Sequence, residues 1–263
     1  MSFISDTIKI NNKLLHYQLL NTEYRESTRP VLVFLHEGLG SIAQWKEFPD
    51  LLSHETGCAA LVYDRYGYGQ SEAIKEIRNE AYMPDEAYIF LPELLGKIEI
   101  TEKIILVGHS DGGTIALLFA SRFPDKTVAV ITEADHVMSE EITLTGVRNI
   151  VNEFEKGGFK KLLSKFHNEK TDTMFYSWSN YWLSDAQKNW SIENLLPLIS
   201  SPVLAIQGKG DCYGSVKQLT SKLEKIKGHV EILFLDNCGH VPHYEAQNQV
   251  LNRMKDFVLS AIS

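Results

Sequence analysis

The chain has 263 residues, which is long enough to bury a full core as a single α/β domain. It carries 26 basic and 34 acidic residues, a net charge of −8 at pH 7, and this balance argues against nucleic acid as a partner. No apolar run approaches the roughly 20 residues that span a bilayer, so we expect no membrane segment, and we expect no secretory signal either. Cys58, Cys212 and Cys238 have no metal-type spacing, and their odd number disfavours a disulfide framework. A reduced, cytoplasmic location is therefore expected.

The first segment alternates apolar and polar residues on both sides of Asn11-Asn12, which predicts a β-hairpin at the edge of a sheet. Downstream, short continuous apolar runs alternate with helical patterns. Such runs are typical of strands that helices cover on both faces, so we expect a parallel sheet in an α/β fold. The predicted strands are VLVFLH (31–36), CAALVYD (58–64), KIILVG (103–108), TVAVIT (127–132), VLAIQG (203–208) and VEILFL (230–235). The predicted helices are 41–55, 83–95, 111–122, 214–226 and 243–259.

The stretch 136–196 interrupts this alternation and predicts helices only. Ser139 is expected to cap its first helix, and Gly157-Gly158 is expected to end that helix. A helical insertion between two strand–helix units indicates a lid over the carboxyl edge of the sheet. We therefore expect a core and an inserted lid, formed by residues 1–135 with 197–263 and by residues 136–196.

Aromatic residues recur at helical spacing in this insertion, at Trp178 and Trp182 among others. Such a stripe packs a lid onto its core or lines an apolar substrate pocket, and the two roles overlap. Trp178 and Trp182 are therefore candidate pocket residues.

The segment Gly108-His109-Ser110-Asp111-Gly112 fits the pattern G-x-S-x-G between a predicted strand and a predicted helix. A sharp turn there brings backbones close together and holds the central residue in strained φ/ψ, which side chains at Gly108 and Gly112 would obstruct. The turn lifts the hydroxyl of Ser110 clear of the sheet, at the positive end of the following helix. Ser110 is therefore the predicted nucleophile.

A serine hydroxyl is a weak nucleophile unless a base accepts its proton and a third group orients that base. Asp211 and His240 each follow one of the last two predicted strands, so both are expected at the carboxyl edge of the sheet. The chain order Ser110, Asp211, His240 is the order expected with this nucleophile turn. We therefore predict a triad in which His240 is the base and Asp211 orients it.

Other residues compete for these roles. Glu133 and Asp135 follow the strand that ends at residue 132 and could supply the acid instead. His243 opens the last predicted helix, where we expect its side chain to point away from the catalytic centre. Cys238 stands two residues before His240, which allows a Cys–His pair, although cysteine more often fills a buried space.

Acyl transfer also needs hydrogen-bond donors where negative charge develops. The backbone N–H of Asp111, at the start of the helix after the nucleophile, is one predicted donor. The other is expected from the glycine-rich loop in FLHEGLGS, where Gly38 is the best-placed candidate because glycine lets the backbone approach a ligand closely.

Taken together, these motifs resemble those of the α/β-hydrolase superfamily across nearly the whole chain. The matching segments are LHEGLGS, the D-x-x-G-x-G-x-S pattern at 64–71, GHSDGG, PVLAIQGKGD and GHVPHYE. The resemblance implies an eight-stranded, mostly parallel sheet, a helical lid and no cofactor. No metal site is expected.

Two residues depart from the common pattern of this superfamily. Glu37 follows His36 where glycine is usual, and its carboxylate would oppose an oxyanion unless it points away or pairs with His36 or Arg65. A structural hydrogen bond is favoured for Glu37 over substrate recognition, which keeps it a candidate pocket residue. Asp111 stands where many relatives have an apolar residue, and it caps its own helix or attracts a cationic group of the substrate.

These residues indicate a serine hydrolase that acts on a small carboxylic ester or a related acyl substrate through an acyl-enzyme. Lactones, thioesters and the carbon–carbon bond of meta-cleavage-type diketo acids remain alternatives, since the triad serves all of them. A ligand receptor on a hydrolase scaffold is the alternative outside enzymes. The expected partner is a small molecule, and nothing in the sequence indicates an oligomeric state.

Overall fold

A computed structural model describes residues 2–26 and 28–263, and within them the chain forms one sheet of eight strands. The strands are β1 Phe3–Ile10, β2 Lys13–Leu20, β3 Val31–Leu35, β4 Ala60–Tyr63, β5 Ile104–His109, β6 Thr127–Glu133, β7 Val203–Gly208 and β8 Val230–Leu235. Their order across the sheet is β1-β2-β4-β3-β5-β6-β7-β8. The β1–β2 and β2–β4 pairs are antiparallel and every other pair is parallel. The predicted α/β fold with a mostly parallel sheet is confirmed.

The edge of the sheet is the predicted hairpin. Asn11 and Asn12 join β1 to β2 with φ values of 44° and 62°. Asparagine tolerates this left-handed conformation, and two such residues in succession match the twist of the flanking strands.

The helices cover both faces of the sheet, as the continuous apolar strands require. They are α1 Phe48–Thr56, α2 Tyr82–Asp85, α3 Leu91–Lys97, α4 Asp111–Arg122, α5 Glu141–Glu155, α6 Gly158–His167, α7 Thr171–Trp182, α8 Lys217–Lys225, α9 Pro242–Glu245 and α10 Gln247–Ala261. Alternate residues of β3 face opposite layers. Val33 packs in the cluster that contains Ile115 of α4, and Phe34 packs in the cluster that contains Phe257 of α10.

Three predicted helices are interrupted. The segment 41–55 contains a short 3-10 helix, then Lys46 at φ 52°, then α1, because a positive φ breaks the helical ladder. The segment 83–95 changes to a π-helical turn before α3, where Pro92 lacks the N–H that a continuous helix needs. The segment 243–259 divides at Ala246 into α9 and α10, since Ala246 leaves the helical region.

The helical insertion, residues 136–196, contains α5, α6 and α7 between β6 and β7. The predicted cap at Ser139 is wrong. Residue Glu140 precedes α5, and its carboxylate accepts hydrogen bonds from Ser215 and Gln218 instead of capping the helix. Gly157, at φ 88°, separates α5 from α6 where the end of the helix is predicted.

No helix within residues 2–26 and 28–263 combines the length and the apolar character that crossing a bilayer requires.

A fully buried ion pair links α8 to the end of β6. The ammonium of Lys222 contacts the carboxylate of Asp135, and the two side chains are 1% and 0% exposed. Two charges removed from water stabilise a fold only while they remain paired. Asp135 is therefore a structural residue of the core.

Replacing Lys222 with Met should lower the free energy of unfolding by about 3–5 kcal/mol, because the carboxylate of Asp135 would stay buried without its cation. Urea denaturation followed by circular dichroism measures the loss. The double variant Asp135→Asn/Lys222→Met removes both charges and should recover most of the stability. If the single variant were as stable as the double variant, the pair would not be coupled in this way.

Candidate active site

The turn between β5 and α4 holds Ser110 at φ 52° and ψ −120°, outside the regions that side chains usually adopt. Glycine is required on both sides of it. A Cβ atom at Gly108 would lie 2.3 Å from the carbonyl oxygen of Gly112, and a Cβ at Gly112 would lie 2.0 Å from that of Leu35. The close approach of these backbones leaves the hydroxyl of Ser110 at the carboxyl edge of the sheet and at the first turn of α4.

The structure brings the three predicted triad residues together. Ser110 Oγ lies 3.1 Å from Nε2 of His240, and Nδ1 of His240 lies 2.8 Å from Oδ1 of Asp211. Asp211 follows β7 and also accepts the backbone N–H of Tyr213 and the side-chain amide of Gln207. These distances form a continuous hydrogen-bonded chain from a carboxylate to a hydroxyl.

Burial and pairing set the protonation of this chain. Burial disfavours the charged forms of both His240 and Asp211, but their hydrogen bond and mutual attraction outweigh it. The pKa of His240 consequently lies above its ordinary value of 6.5, and the pKa of Asp211 lies below its ordinary value. The pair is arranged to stabilise an imidazolium when His240 accepts a proton.

The loop that carries His240 is held by two residues that the sequence argument missed. Nε2 of His109 donates to the carbonyl oxygen of His240 at 2.6 Å. The carboxylate of Glu245 accepts the backbone N–H groups of Gly239 and Val241 at 2.7 and 2.9 Å. The position of His109 directly before the predicted nucleophile could have indicated a role in the site. The sequence gives no such indication for Glu245, because its role depends on how the loop folds back.

The competing residues are engaged elsewhere. Glu133 lies 2.5 Å from Nδ1 of the buried His243, and Asp135 belongs to the ion pair with Lys222. The thiol of Cys238 points to the carbonyl of Gly239, and burial raises its pKa to about 11, which does not suit a nucleophile.

The loop after β3 lies against the start of α4. A Cβ atom at Gly38 would come 2.0 Å from Nε1 of Trp178 and 2.9 Å from Oδ2 of Asp111, so only glycine fits. The guanidinium of the buried Arg65 donates to the carbonyl oxygens of His36 and Glu37 and thereby fixes this loop. Gly38 and Asp111 therefore lie close together, and both line the same cavity as Ser110.

Arg65 and His36 both contact the backbone carbonyl of Glu37, and neither pairs with its carboxylate. The structure therefore does not show the hydrogen bond that would give the Glu37 side chain a structural role, with His36 and Arg65 as the possible partners.

The side chain of Asp111 is buried and does not cap its own helix. It accepts hydrogen bonds from the hydroxyl of Tyr82 at 3.3 Å and from Nε1 of Trp182 at 3.1 Å. Burial raises the pKa of Asp111, although the nearby charge of Arg65 opposes the shift. The capping interpretation of Asp111 is wrong, because its carboxylate turns inward to Tyr82 and Trp182.

A cavity of about 240 Å³ opens over Ser110 and His240, and Gly38, Glu37 and Asp111 line it. The helical insertion supplies an apolar wall of Val147, Ile150, Phe159, Leu162, Leu163 and Phe166. Trp178 and Trp182 line the cavity and also belong to the buried core, and their role in binding a substrate stays a prediction. Among the described residues, no cluster of His, Cys, Asp and Glu has an arrangement that could hold a metal ion.

Comparison with known proteins agrees with this architecture. A sequence model of the alpha/beta hydrolase fold matches residues 30–157. The proline iminopeptidase of Saccharolobus solfataricus is 24% identical over 86% of this chain and 84% of its own length. The structure of an esterase from Thermogutta terrifontis superimposes with a TM-score of 0.73 at 17% identity, over 99% of this chain and 100% of the esterase. The enol-lactonase from Burkholderia xenovorans LB400 gives a TM-score of 0.75 at 19% identity, over 96% of this chain and 99% of that one.

The chain therefore has the alpha/beta hydrolase fold, as its motifs indicate. The prediction that the protein is a hydrolase is confirmed at this general level.

Replacing Gly38 with Ala should cost about 1–3 kcal/mol of stability, because the added methyl group would overlap the indole of Trp178 in a packed site. Urea denaturation of the two single variants and of Gly38→Ala/Trp178→Ala measures the coupling between the positions. The cost of Gly38→Ala should be smaller by about 1 kcal/mol when Trp178 is Ala. Additive costs would show that the methyl group does not meet the indole.

Proposed function

We propose that this protein is a serine hydrolase that cleaves a small carboxylic ester or a related acyl substrate. The observation that carries the proposal is the hydrogen-bonded chain from Asp211 through His240 to Ser110, with spacings of 2.8 and 3.1 Å. A hydroxyl, an imidazole and a carboxylate at these distances have the geometry of nucleophile, base and orienting group.

In the first half of the reaction, Ser110 Oγ bonds to the substrate carbonyl carbon while Nε2 of His240 takes its proton. The carbonyl oxygen becomes an oxyanion that accepts hydrogen bonds from the backbone N–H groups of Gly38 and Asp111. His240 then returns the proton to the leaving alkoxide as the carbon–oxygen bond breaks. Asp211 stabilises the imidazolium throughout this step. The products are an alcohol and an acyl group on Ser110.

In the second half, a water molecule replaces the alcohol. Its oxygen bonds to the acyl carbon as His240 takes a proton from it, and the proton passes to Ser110 Oγ as the acyl bond breaks. The carboxylic acid leaves, and the hydroxyl of Ser110 is restored.

The helical insertion acts as a lid in this proposal. Its apolar side chains form the wall of the cavity opposite the triad, where they exclude water and receive the apolar part of the substrate. The division of the chain into a core of 1–135 and 197–263 with a lid of 136–196 follows from this role.

The charge of the cavity favours an ester over a diketo acid. A carbon–carbon substrate of that kind carries a carboxylate that needs a cation, and no Lys or Arg of the described residues lines the cavity. Arg148, the arginine of the insertion, pairs with Glu141 on the exposed side of α5. Lactones and thioesters lack this extra charge and stay within the proposed acyl class.

Treatment with a fluorophosphonate should add one phosphonyl group to Ser110, because this serine alone is paired with the proposed base. Intact-mass spectrometry and peptide mapping measure the adduct. The variant Ser110→Ala should lose the label, and Ser260→Ala, an exposed serine of α10, should retain it. Labelling that survives Ser110→Ala would show that another serine is the nucleophile, and an unlabelled native protein would favour the ligand receptor.

The value of kcat/KM should fall as the pH drops through the pKa of His240, because only the neutral imidazole accepts the proton of Ser110. Since Asp211 holds this pKa above 6.5, the midpoint of the acidic limb should lie above 6.5 in the native enzyme. Asp211→Asn should lower kcat by about 10⁴-fold and move the midpoint of the residual activity to lower pH. Rates of p-nitrophenyl acetate hydrolysis between pH 5 and 9 measure both effects. An unmoved midpoint would separate Asp211 from the titrating base.

A further inference from the structure

The side chain of Glu37 is a carboxylate in the cavity that the proposed reaction does not use. Its backbone is fixed, because Arg65 and His36 hold its carbonyl oxygen at 2.8 and 2.7 Å. Its carboxylate lines the cavity next to Gly38, and within the described part of the chain no hydrogen bond or ion pair reaches it.

Burial and a neighbouring carboxylate work against the charge of Glu37. Burial raises the pKa of Glu37, and the neighbouring Asp111 adds to the shift, while His240, His243 and Arg65 oppose it. Glu37 is half-buried, so its carboxylate loses part of its hydration, and it stands beside the loop that would receive the oxyanion. An ammonium group brought by a ligand would favour the charge of Glu37 and would screen it from the oxyanion.

Among residues 2–26 and 28–263, no lysine or arginine forms an ion pair with this carboxylate, and none lines the cavity. The guanidinium of Arg65 is buried and donates to the backbone carbonyls of His36 and Glu37 and to the hydroxyl of Tyr82. Asp111 differs from Glu37, because Tyr82 and Trp182 already donate to its carboxylate. Glu37 is therefore the acidic group of the cavity that is left for a ligand.

A second unsatisfied group lies on the other side of Gly38. Trp178 is 6% exposed, and its Nε1–H has no acceptor among residues 2–26 and 28–263. This nitrogen lies 2.0 Å from the position that a Cβ of Gly38 would take. A ligand that satisfied both groups would present a cation and a hydrogen-bond acceptor. An α-amino acyl group has both, in its ammonium and its carbonyl.

We propose that Glu37 binds the free amine of the substrate, so that the substrates are esters or amides of small apolar amino acids. This inference rests on the proposed function, since Ser110 would attack the carbonyl next to the bound amine. The ammonium pairs with Glu37, and the side chain of the amino acid faces the apolar wall of the insertion. A cavity of about 240 Å³ suits one small residue better than a long peptide.

Two nearly isosteric esters test this proposal at pH 7. L-alanine methyl ester carries an ammonium group where methyl isobutyrate carries a methyl group. The native protein should have the higher kcat/KM for the alanine ester. The variant Glu37→Gln should reduce the ratio of the two kcat/KM values by about 10- to 100-fold, because an amide keeps the shape but loses the charge-assisted hydrogen bond. Proton NMR of the released methanol measures both rates.

The matched control is Glu155→Gln, which removes one negative charge from the exposed end of α5 in the same insertion and should leave the ratio as it is. Circular dichroism and fluorophosphonate labelling of Glu37→Gln show whether that variant is folded with an active serine.

Two failures can be told apart. If the native protein takes no fluorophosphonate label, the proposed function is wrong. If it is labelled but does not prefer the alanine ester, or if Glu37→Gln changes both esters equally, the serine chemistry stands and the role of Glu37 as an amine-binding residue is wrong.

Discussion

The close packing of α4 against the carboxyl ends of β3 and β5 is the constraint on which the rest of the site depends. Gly108 and Gly112 lie so near to neighbouring backbone that a Cβ atom at either position would overlap a carbonyl. This packing forces Ser110 to a positive φ and presents its hydroxyl to the loops that follow β7 and β8. The same packing brings the loop after β3, with Gly38, against the N-terminus of α4. A looser contact would separate the nucleophile from both its base and its oxyanion donors.

Burial favours the neutral forms of His109, His136 and His240. The partners of each imidazole decide whether its pKa falls or rises. Burial lowers the pKa of His109 well below its usual value and that of His136 to about 4, because neither has a carboxylate that outweighs the loss of water. His240 is buried as well, yet its pKa rises because the carboxylate of Asp211 accepts a hydrogen bond from Nδ1 and attracts the imidazolium. The site therefore contains one imidazole tuned to accept a proton and others that shape its surroundings. His109 does so directly, since it binds the carbonyl oxygen of His240.

The sequence predicts the parts of the fold that depend on local residue preferences. Helix α4 begins and ends where its pattern indicates, at Asp111 and Arg122, and the asparagine turn joins β1 to β2 as expected. The break at Lys46 was not predicted, because lysine gives no signal for a positive φ and the surrounding loops impose it. The cap expected at Ser139 was wrong because Glu140 takes the N-cap position, and the Glu140 carboxylate bonds to the distant residues Ser215 and Gln218.

The candidate site shows the same limit. The positions of the nucleophile, base and acid candidates follow from strand ends, which the sequence marks clearly. The sequence does not determine the environment of Glu37. His36 and Arg65 are possible partners, but the sequence does not show whether they contact its carboxylate or its carbonyl oxygen. In the structure both residues contact the carbonyl oxygen of Glu37. The residue lines the cavity, and its carboxylate has no hydrogen-bond partner among the described residues.

This arrangement gives a physical reason for an acidic residue beside an oxyanion loop. With the cavity empty of cations, the charge of Glu37 would raise the energy of the oxyanion at Gly38 and Asp111. A substrate that brings its own ammonium group neutralises Glu37 at the moment when the carbonyl reaches Ser110. A substrate without a cation meets the uncompensated carboxylate in both the ground state and the transition state. One side chain can thus attract amines and penalise neutral esters, which is how a repulsive element adds to specificity.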